Sequence, residues 1–135
     1  MPHDVVLNKV QVIERCLRRV DEEYGASPES LSNFTKQDSI VLNIQRACEA
    51  SIDLAMHVVA ERGLGLPQSS RAAFELLCGN GIIEPEQSRR LQAMVGFRNI
   101  AIHGYQAMNL TILQMIVEKN LTDLKEFAAV MLRLS

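Results

Sequence analysis

Hydrophobic residues recur along the chain at alternating steps of four and three, the spacing that places side chains on one face of an α-helix. In the first segment this face consists of Val6, Val10, Ile13, Leu17, Val20 and Tyr24. Gly25 follows directly and is expected to end the helix. No segment shows a convincing strand pattern, so the sequence predicts an all-α protein.

A long second helix is predicted from about Thr35 to about Arg62, because Thr35 and Asp38 have the spacing of a capping box with Asp in place of the usual Glu. Its buried face is expected to consist of Ile40, Ile44, Cys48, Ile52, Ala55 and Val59. Glycine and proline within residues 63–67 then interrupt the chain.

The rest of the chain predicts three further helices: a short one capped by Ser70 and running through Cys78, one opened by Pro85 and closed by Gly104, and a last one capped by Asn109 or Thr111. The apolar face of the last helix is expected to consist of Leu110, Leu113, Val117, Leu121, Leu124, Ala128 and Met131. Four main helices and one short helix with mostly short connections predict an antiparallel helical bundle. At 135 residues we expect one domain, residues 1–135.

Composition excludes several classes of protein and of binding site. Hydrophobic residues make up 47% of the chain and charged residues 22%, and no run approaches the roughly 18 apolar residues of a membrane span. The N-terminus has no signal-peptide pattern, so we expect a cytoplasmic protein without membrane contact. The formal net charge of −2 gives no general attraction to nucleic acid. The three cysteines are widely spaced, and we expect neither a metal site nor a cofactor.

One arginine of the predicted fourth helix lies on its apolar face. At about 100° per residue, Arg98 falls in the middle of an apolar sector that also contains Leu91, Met94, Val95 and Ile102. A guanidinium does not lose its proton, so burial without a partner is very costly. The position therefore demands a bound anion, a carboxylate from another helix, or a wet interface.

Polar groups surround that arginine in the stretch RNIAIHGY, residues 98–105. His103 lies about 140° from Arg98 in a regular helix, so the two share a face only if the helix loosens before Gly104. Asn99 precedes His103 by four positions and can reach toward it, while Tyr105 follows the helix end. If they converge, an arginine, a histidine and a tyrosine can bind a phosphate and transfer protons.

These residues resemble the R-x4-H-x-Y motif of the HepT-type toxins, a branch of the HEPN superfamily. The second-helix segment NIQRACEASIDLAMHVV and the all-helical layout are also similar to that family over nearly the whole chain. The resemblance implies a homodimeric endoribonuclease toxin that cleaves RNA without a metal. It also implies that Arg98 stabilises the phosphorane, His103 transfers protons and Asn99 orients its neighbours.

The same resemblance implies a partner, an MntA-type nucleotidyltransferase antitoxin that transfers AMP to Tyr105 and so blocks the RNA pocket. The alternative is a non-catalytic helical partner of a nucleotidyltransferase that binds nucleotide or protein. The complete set of Arg98, His103 and Tyr105 favours the catalytic interpretation.

Polar residues of the second helix and three further arginines are additional candidates for the site. Gln45 and Glu49 flank the core face and are candidates for contact with the motif. Arg46, with Asp53 and His57, forms a stripe opposite the core that either faces solvent or borders the RNA cleft. Arginines outside the motif either face solvent or guide RNA: Arg71, Arg89 and Arg90.

Overall fold

The computed structural model describes the backbone of residues 2–104 and 109–134 and the side chains of residues 4–101 and 109–134. Its helices are α1 (Pro2–Tyr24), a 3-10 helix (Pro28–Ser32), α2 (Phe34–Glu61), α3 (Ser70–Gly79), α4 (Pro85–Gly104), α5 (Leu110–Met115), a π turn (Ile116–Asn120) and α6 (Leu121–Leu134). No strand occurs in these ranges. The predicted all-α antiparallel bundle is confirmed, with α3 as the short helix and residues 110–134 as one continuous helical segment.

The predicted apolar faces of α1 and α2 are buried without exception. Gly25, with φ of +59°, follows the last residue of α1 in a conformation that glycine adopts without strain. The start of α2 was predicted wrongly. Asn33 is the N-cap, because its side-chain oxygen accepts a hydrogen bond from the backbone N–H of Lys36 at 3.0 Å, and α2 begins before Thr35.

The third helix also begins one residue earlier than predicted. The Oγ of Ser69 accepts a hydrogen bond from the backbone N–H of Ala72 at 3.1 Å, so Ser69 and not Ser70 is the N-cap. Ser70 is therefore free to bond elsewhere. Pro85 is the first residue of α4, as predicted, where its missing N–H removes no helical hydrogen bond.

Asn109 caps the last segment, and its side chain accepts from the backbone N–H groups of Thr111 and Ile112. Leu113 is buried, but Leu110 is 40% exposed, so its predicted place in the core is wrong. Leu110 is the first residue of α5, and Leu113 is the first buried residue of this helix. The π turn between α5 and α6 was not predicted from the sequence.

The core lies around α2, which packs against α1, α3, α4 and α6. Phe74 of α3 and Phe127 of α6 meet edge to face, with ring centroids 5.4 Å apart. α3 also packs on α2 and on α4, the helix that carries the motif. None of the helices in the described ranges is both long and apolar enough to cross a membrane.

Candidate active site

Arg98 is placed by the apolar face of α4. Leu91, Met94 and Val95 are buried against the rest of the bundle, and Arg98 continues their sector one turn later. Its side chain is 18% exposed, which leaves the guanidinium at the edge of the core and not within it. The helical register of α4 therefore places the permanently charged side chain of Arg98 at the edge of the α2–α4 contact.

Three hydrogen bonds hold the guanidinium of Arg98. Nη1 donates to Oε1 of Glu49 on α2 at 2.8 Å, Nε donates to Oδ1 of Asn99 at 2.9 Å, and Nη2 donates to Oγ of Ser70 at 3.3 Å. An arginine side chain has five N–H donors, so the described residues leave two for a ligand. Of the alternatives that the sequence left open, the structure shows a carboxylate from another helix.

Glu49 does not neutralise Arg98 in a closed interior. Its side chain is 39% exposed, so the ion pair lies at the surface of the protein, accessible to a ligand. Screening by water keeps the contribution of such a pair to stability below about 1 kcal/mol. The pair therefore orients Arg98 more than it stabilises the fold.

Sequence reasoning missed Ser70 as a partner of Arg98. The two consecutive serines before α3 were the available signal, because only one of them can be the N-cap. Since Ser69 takes that position, the hydroxyl of Ser70 accepts from Arg98. This hydrogen bond connects the start of α3 to the motif.

Asn99 is exposed, and its side-chain oxygen accepts a hydrogen bond from Nε of Arg98. The backbone of α4 stays helical through Gly104, so the loosening considered from the sequence is not observed. The side chain of His103 lies outside the described residues, as does all of Tyr105.

The other second-helix candidates are less closely placed. Gln45 is half-buried one turn before Glu49, and Arg46 is exposed. The remaining members of the predicted stripe have partners outside the motif. Asp53 accepts from Nζ of Lys9 on α1 at 3.1 Å, and Nε2 of His57 lies 3.3 Å from a carboxylate oxygen of Glu61 without forming a hydrogen bond. Only Glu49 of this group contacts the motif in the described residues.

The thiol beside this site is not a nucleophile. Burial, and to a smaller extent the carboxylate of Glu49, raise the pKa of Cys48 to about 12 against the opposing effect of Arg98. The thiol therefore stays protonated at neutral pH and packs as a small hydrophobic group. No group of three His, Cys, Asp or Glu side chains within residues 4–101 and 109–134 is arranged to bind a metal ion.

Comparison with known proteins places the chain in a family. The family described as ribonuclease HepT-like matches residues 13–131. The mRNA nuclease HepT of Shewanella oneidensis is 45% identical over 125 residues, which cover 93% of this chain and 94% of the relative.

Solved structures give the same relationship. A tri-AMPylated Shewanella oneidensis HEPN toxin in complex with MNT antitoxin superposes with a TM-score of 0.89 at 45% identity, covering 94% of this chain and 96% of that one. A toxin–antitoxin crystallised with AMP-PNP has the same TM-score and coverage at 44% identity. The chain, with its Arg98 motif on α4, belongs to the HepT-like ribonuclease family.

Proposed function

We propose that this protein is the toxin of a toxin–antitoxin pair and an endoribonuclease that cleaves RNA without a metal ion, at a site shared by two copies of the chain. The observation that carries the proposal is the guanidinium of Arg98, fixed on three sides with two N–H donors left over by the described residues. Relatives of this length and similarity include a named mRNA nuclease. Such a nuclease acts in the cytoplasm, where mRNA is translated.

Arg98 stabilises the transition state. A phosphodiester under attack passes through a phosphorane with additional negative charge on its oxygens. The planar guanidinium donates hydrogen bonds to such oxygens, and its orientation by Glu49, Asn99 and Ser70 means that little reorganisation is needed as the charge develops.

His103 transfers the protons. The ribose 2′-hydroxyl loses its proton to the imidazole and its oxygen bonds to the adjacent phosphorus, and the bond from phosphorus to the 5′-oxygen breaks. That leaving oxygen receives a proton, from the same imidazole or from its counterpart on the second protomer. The products are a 2′,3′-cyclic phosphate and a 5′-hydroxyl, and no metal-bound nucleophile is required.

A second copy of the chain completes the site. Because α4 remains helical through Gly104, the positions of Arg98 and His103 lie about 140° apart around one helix. Two motifs that face each other bring the arginine of one protomer toward the histidine of its partner. Exposed apolar side chains near the end of α4 and along α5 offer a surface for this contact: Ile100, Leu110, Ile112 and Met115.

The antitoxin is an MntA-type nucleotidyltransferase that transfers AMP to Tyr105. Each AMP adds a phosphate with a negative charge and a nucleoside two residues after His103. Attached there, it competes with RNA for Arg98. The proposal is supported by the AMPylated state of a similar toxin in complex with its antitoxin.

The test is cleavage of single-stranded RNA by the purified protein in EDTA, with His103→Ala and Arg98→Ala measured beside it. We expect cleavage by the wild type and a loss of at least about a hundredfold in each variant. Cleavage that survives both changes would refute the assignment of the site. A wild type of unmodified mass that binds nucleotide or protein but cleaves no RNA would establish the non-catalytic alternative instead.

A further inference from the structure

We propose that the groove between α3 and α4 binds the RNA strand next to the scissile phosphate, with Arg71 as the cation that contacts a flanking phosphate. The inference rests on the proposed function and adds a binding surface outside the motif. The groove has a volume of about 540 Å³ and is open along one side, as an extended strand requires. Arg71, Glu75 and Cys78 line it from α3, and Arg89 and Gln92 line it from α4.

The start of α3 connects the groove to Arg98. Ser70 accepts a hydrogen bond from Arg98, and Arg71 is the next residue along α3. A Cβ atom on Gly96 would lie only 3.1 Å from Nη2 of Arg71, so the guanidinium rests directly over the α4 backbone. Gly96 precedes Arg98 by two residues, and a larger residue there would displace Arg71. Ser70 and Arg71 are successive residues, so the start of α3 contacts both Arg98 and the α4 backbone at Gly96.

Arg71 lacks a counter-ion among the described residues. It is exposed and forms no ion pair with any side chain of residues 4–101 and 109–134, whereas Arg98 is paired with Glu49 and Arg89 with Glu86. It also lies in the first turn of α3, near the positive end of the helix dipole, where a cation is unfavourable. An anion bound at this place would relieve both effects.

The geometry of α4 sets the spacing of the groove's cations. Arg89 and Gly96 are seven residues apart on the same face of the helix, so the positions of Arg89 and Arg71 differ by about 10 Å along the groove. This separation suits phosphates one or two nucleotides apart on an extended strand. Gln92 lies between them and offers a polar side chain to the strand.

The carboxylate of Glu75 disfavours the binding of an anion in the same groove. It is exposed one turn after Arg71 on α3, and no ion pair joins the two in this part of the structure. A carboxylate there repels RNA, so its removal should act in the direction opposite to the removal of Arg71. Arg71→Gln and Glu75→Gln each remove one charge from the same groove, so the two substitutions should change RNA affinity in opposite directions.

The affinity test uses the full chain carrying His103→Ala, so that labelled single-stranded RNA binds without being cut. We expect Arg71→Gln to weaken binding about fivefold and to reduce the slope of log affinity against log salt by about 0.7, the value of one phosphate contact on a single strand. Glu75→Gln should strengthen binding. Arg18→Gln is the matched control, because Arg18 is an exposed arginine of α1, which packs on α2 and α6.

Cys78 provides a second readout without any substitution. It is partly exposed and lines the groove, while Cys16 and Cys48 are buried and burial raises the pKa of both. We expect N-ethylmaleimide to modify Cys78 first and bound RNA to slow that modification. Protection of Cys78 that Arg71→Gln diminishes would support the groove as the RNA path.

Equal dissociation constants for Arg71→Gln and Arg18→Gln would overturn the proposal, whatever the result at Cys78. If those equal constants accompany RNA cleavage that His103→Ala abolishes, the groove fails while the proposed function stands. If Arg71→Gln weakens antitoxin binding and leaves RNA binding unchanged, the groove is a protein-docking surface and the proposal is also overturned. A wild type that neither binds nor cleaves RNA would refute the proposed function and this inference together.

Discussion

The carboxylate of Glu49 and the guanidinium of Arg98 meet across the α2–α4 contact, with 2.8 Å between Oε1 and Nη1. The two residues are 49 positions apart, so the bond depends on the fold and not on local sequence. Glu49 takes one of the five N–H donors of Arg98. Asn99 and Ser70 take two more, so the described residues leave two N–H groups for a ligand. In our account Glu49 is a positioning residue that acts through Arg98.

Glu49→Gln keeps the size of the side chain but removes its charge. We expect kcat for RNA cleavage to fall about tenfold with little change in KM, because a less firmly held guanidinium stabilises the phosphorane less well while RNA still binds. The free energy of unfolding should change by less than about 1 kcal/mol, since the pair is partly exposed. Steady-state cleavage kinetics and urea denaturation measure the two effects.

Asp53→Asn is the control for that substitution. Asp53 is also an acid of α2 with a cationic partner, Lys9 of α1, and it is not among the described partners of Arg98. The control should leave kcat unchanged. A loss with Asp53→Asn equal to the loss with Glu49→Gln would show that any charge change on α2 lowers activity, and the positioning role would be wrong.

Arg98→Lys tests the shape of the cation separately from its charge. Lysine keeps the positive charge but has no planar fork, so it cannot bond to Glu49, Asn99 and Ser70 and still present two donors to phosphate. We expect a loss of about a hundredfold in single-turnover cleavage. Activity within about threefold of the wild type would mean that charge alone suffices.

The phenol of Tyr24 should titrate unusually late. Burial, and then its hydrogen bond to Glu118 in the π turn, raise its pKa from 10.0 to about 12. The native state therefore retains a proton that the unfolded chain loses. The resulting stability is fully present below pH 10 and is lost as the pH rises toward 12.

Two variants check this assignment. Tyr105→Phe leaves Tyr24 as the only tyrosine of the chain, and its phenolate absorbance should appear with a midpoint at about 12. Tyr24→Phe should show a smaller loss of unfolding free energy between pH 10 and 12 than the wild type. An ordinary titration near pH 10 in the folded protein would contradict the contact with Glu118.

Substitution distinguishes Asn33, the observed N-cap of α2, from Thr35, the N-cap predicted from the sequence. Asn33→Ala should lower the free energy of unfolding by about 1 kcal/mol, because the backbone N–H of Lys36 loses its acceptor. Thr35→Ala should change it by no more than about 0.5 kcal/mol, since Thr35 lies inside the helix. Thermal or urea denaturation of the two variants compares them directly, and equal losses would restore Thr35 as a cap.

The sequence was sufficient to predict the helices and most of the core. The apolar faces of α1 and α2 are periodic over many turns, and a long amphipathic pattern has only one reasonable interpretation. Helix ends were less predictable, because Asn33 competes with Thr35 and Ser69 with Ser70 through similar local chemistry. The π turn breaks the 3.6-residue period without a sequence signal.

For the site, periodicity identified Arg98 as out of place and named Glu49 as a candidate contact. It did not distinguish Glu49 from Gln45, because the choice depends on how α2 and α4 cross. Ser70 and Arg71 were not assigned to the site, since their proximity to α4 arises only when α3 packs beside it. Long-range pairing of this kind is a property of tertiary packing.

The ends of the cleaved RNA test the account most directly. Mass spectrometry of oligonucleotide products made in EDTA should show a 2′,3′-cyclic phosphate on one fragment and a 5′-hydroxyl on the other, and neither product should form with Arg98→Ala or His103→Ala. Products with 3′-hydroxyl and 5′-phosphate ends, or cleavage that stops when EDTA is added, would contradict a mechanism built on Arg98, His103 and the ribose hydroxyl.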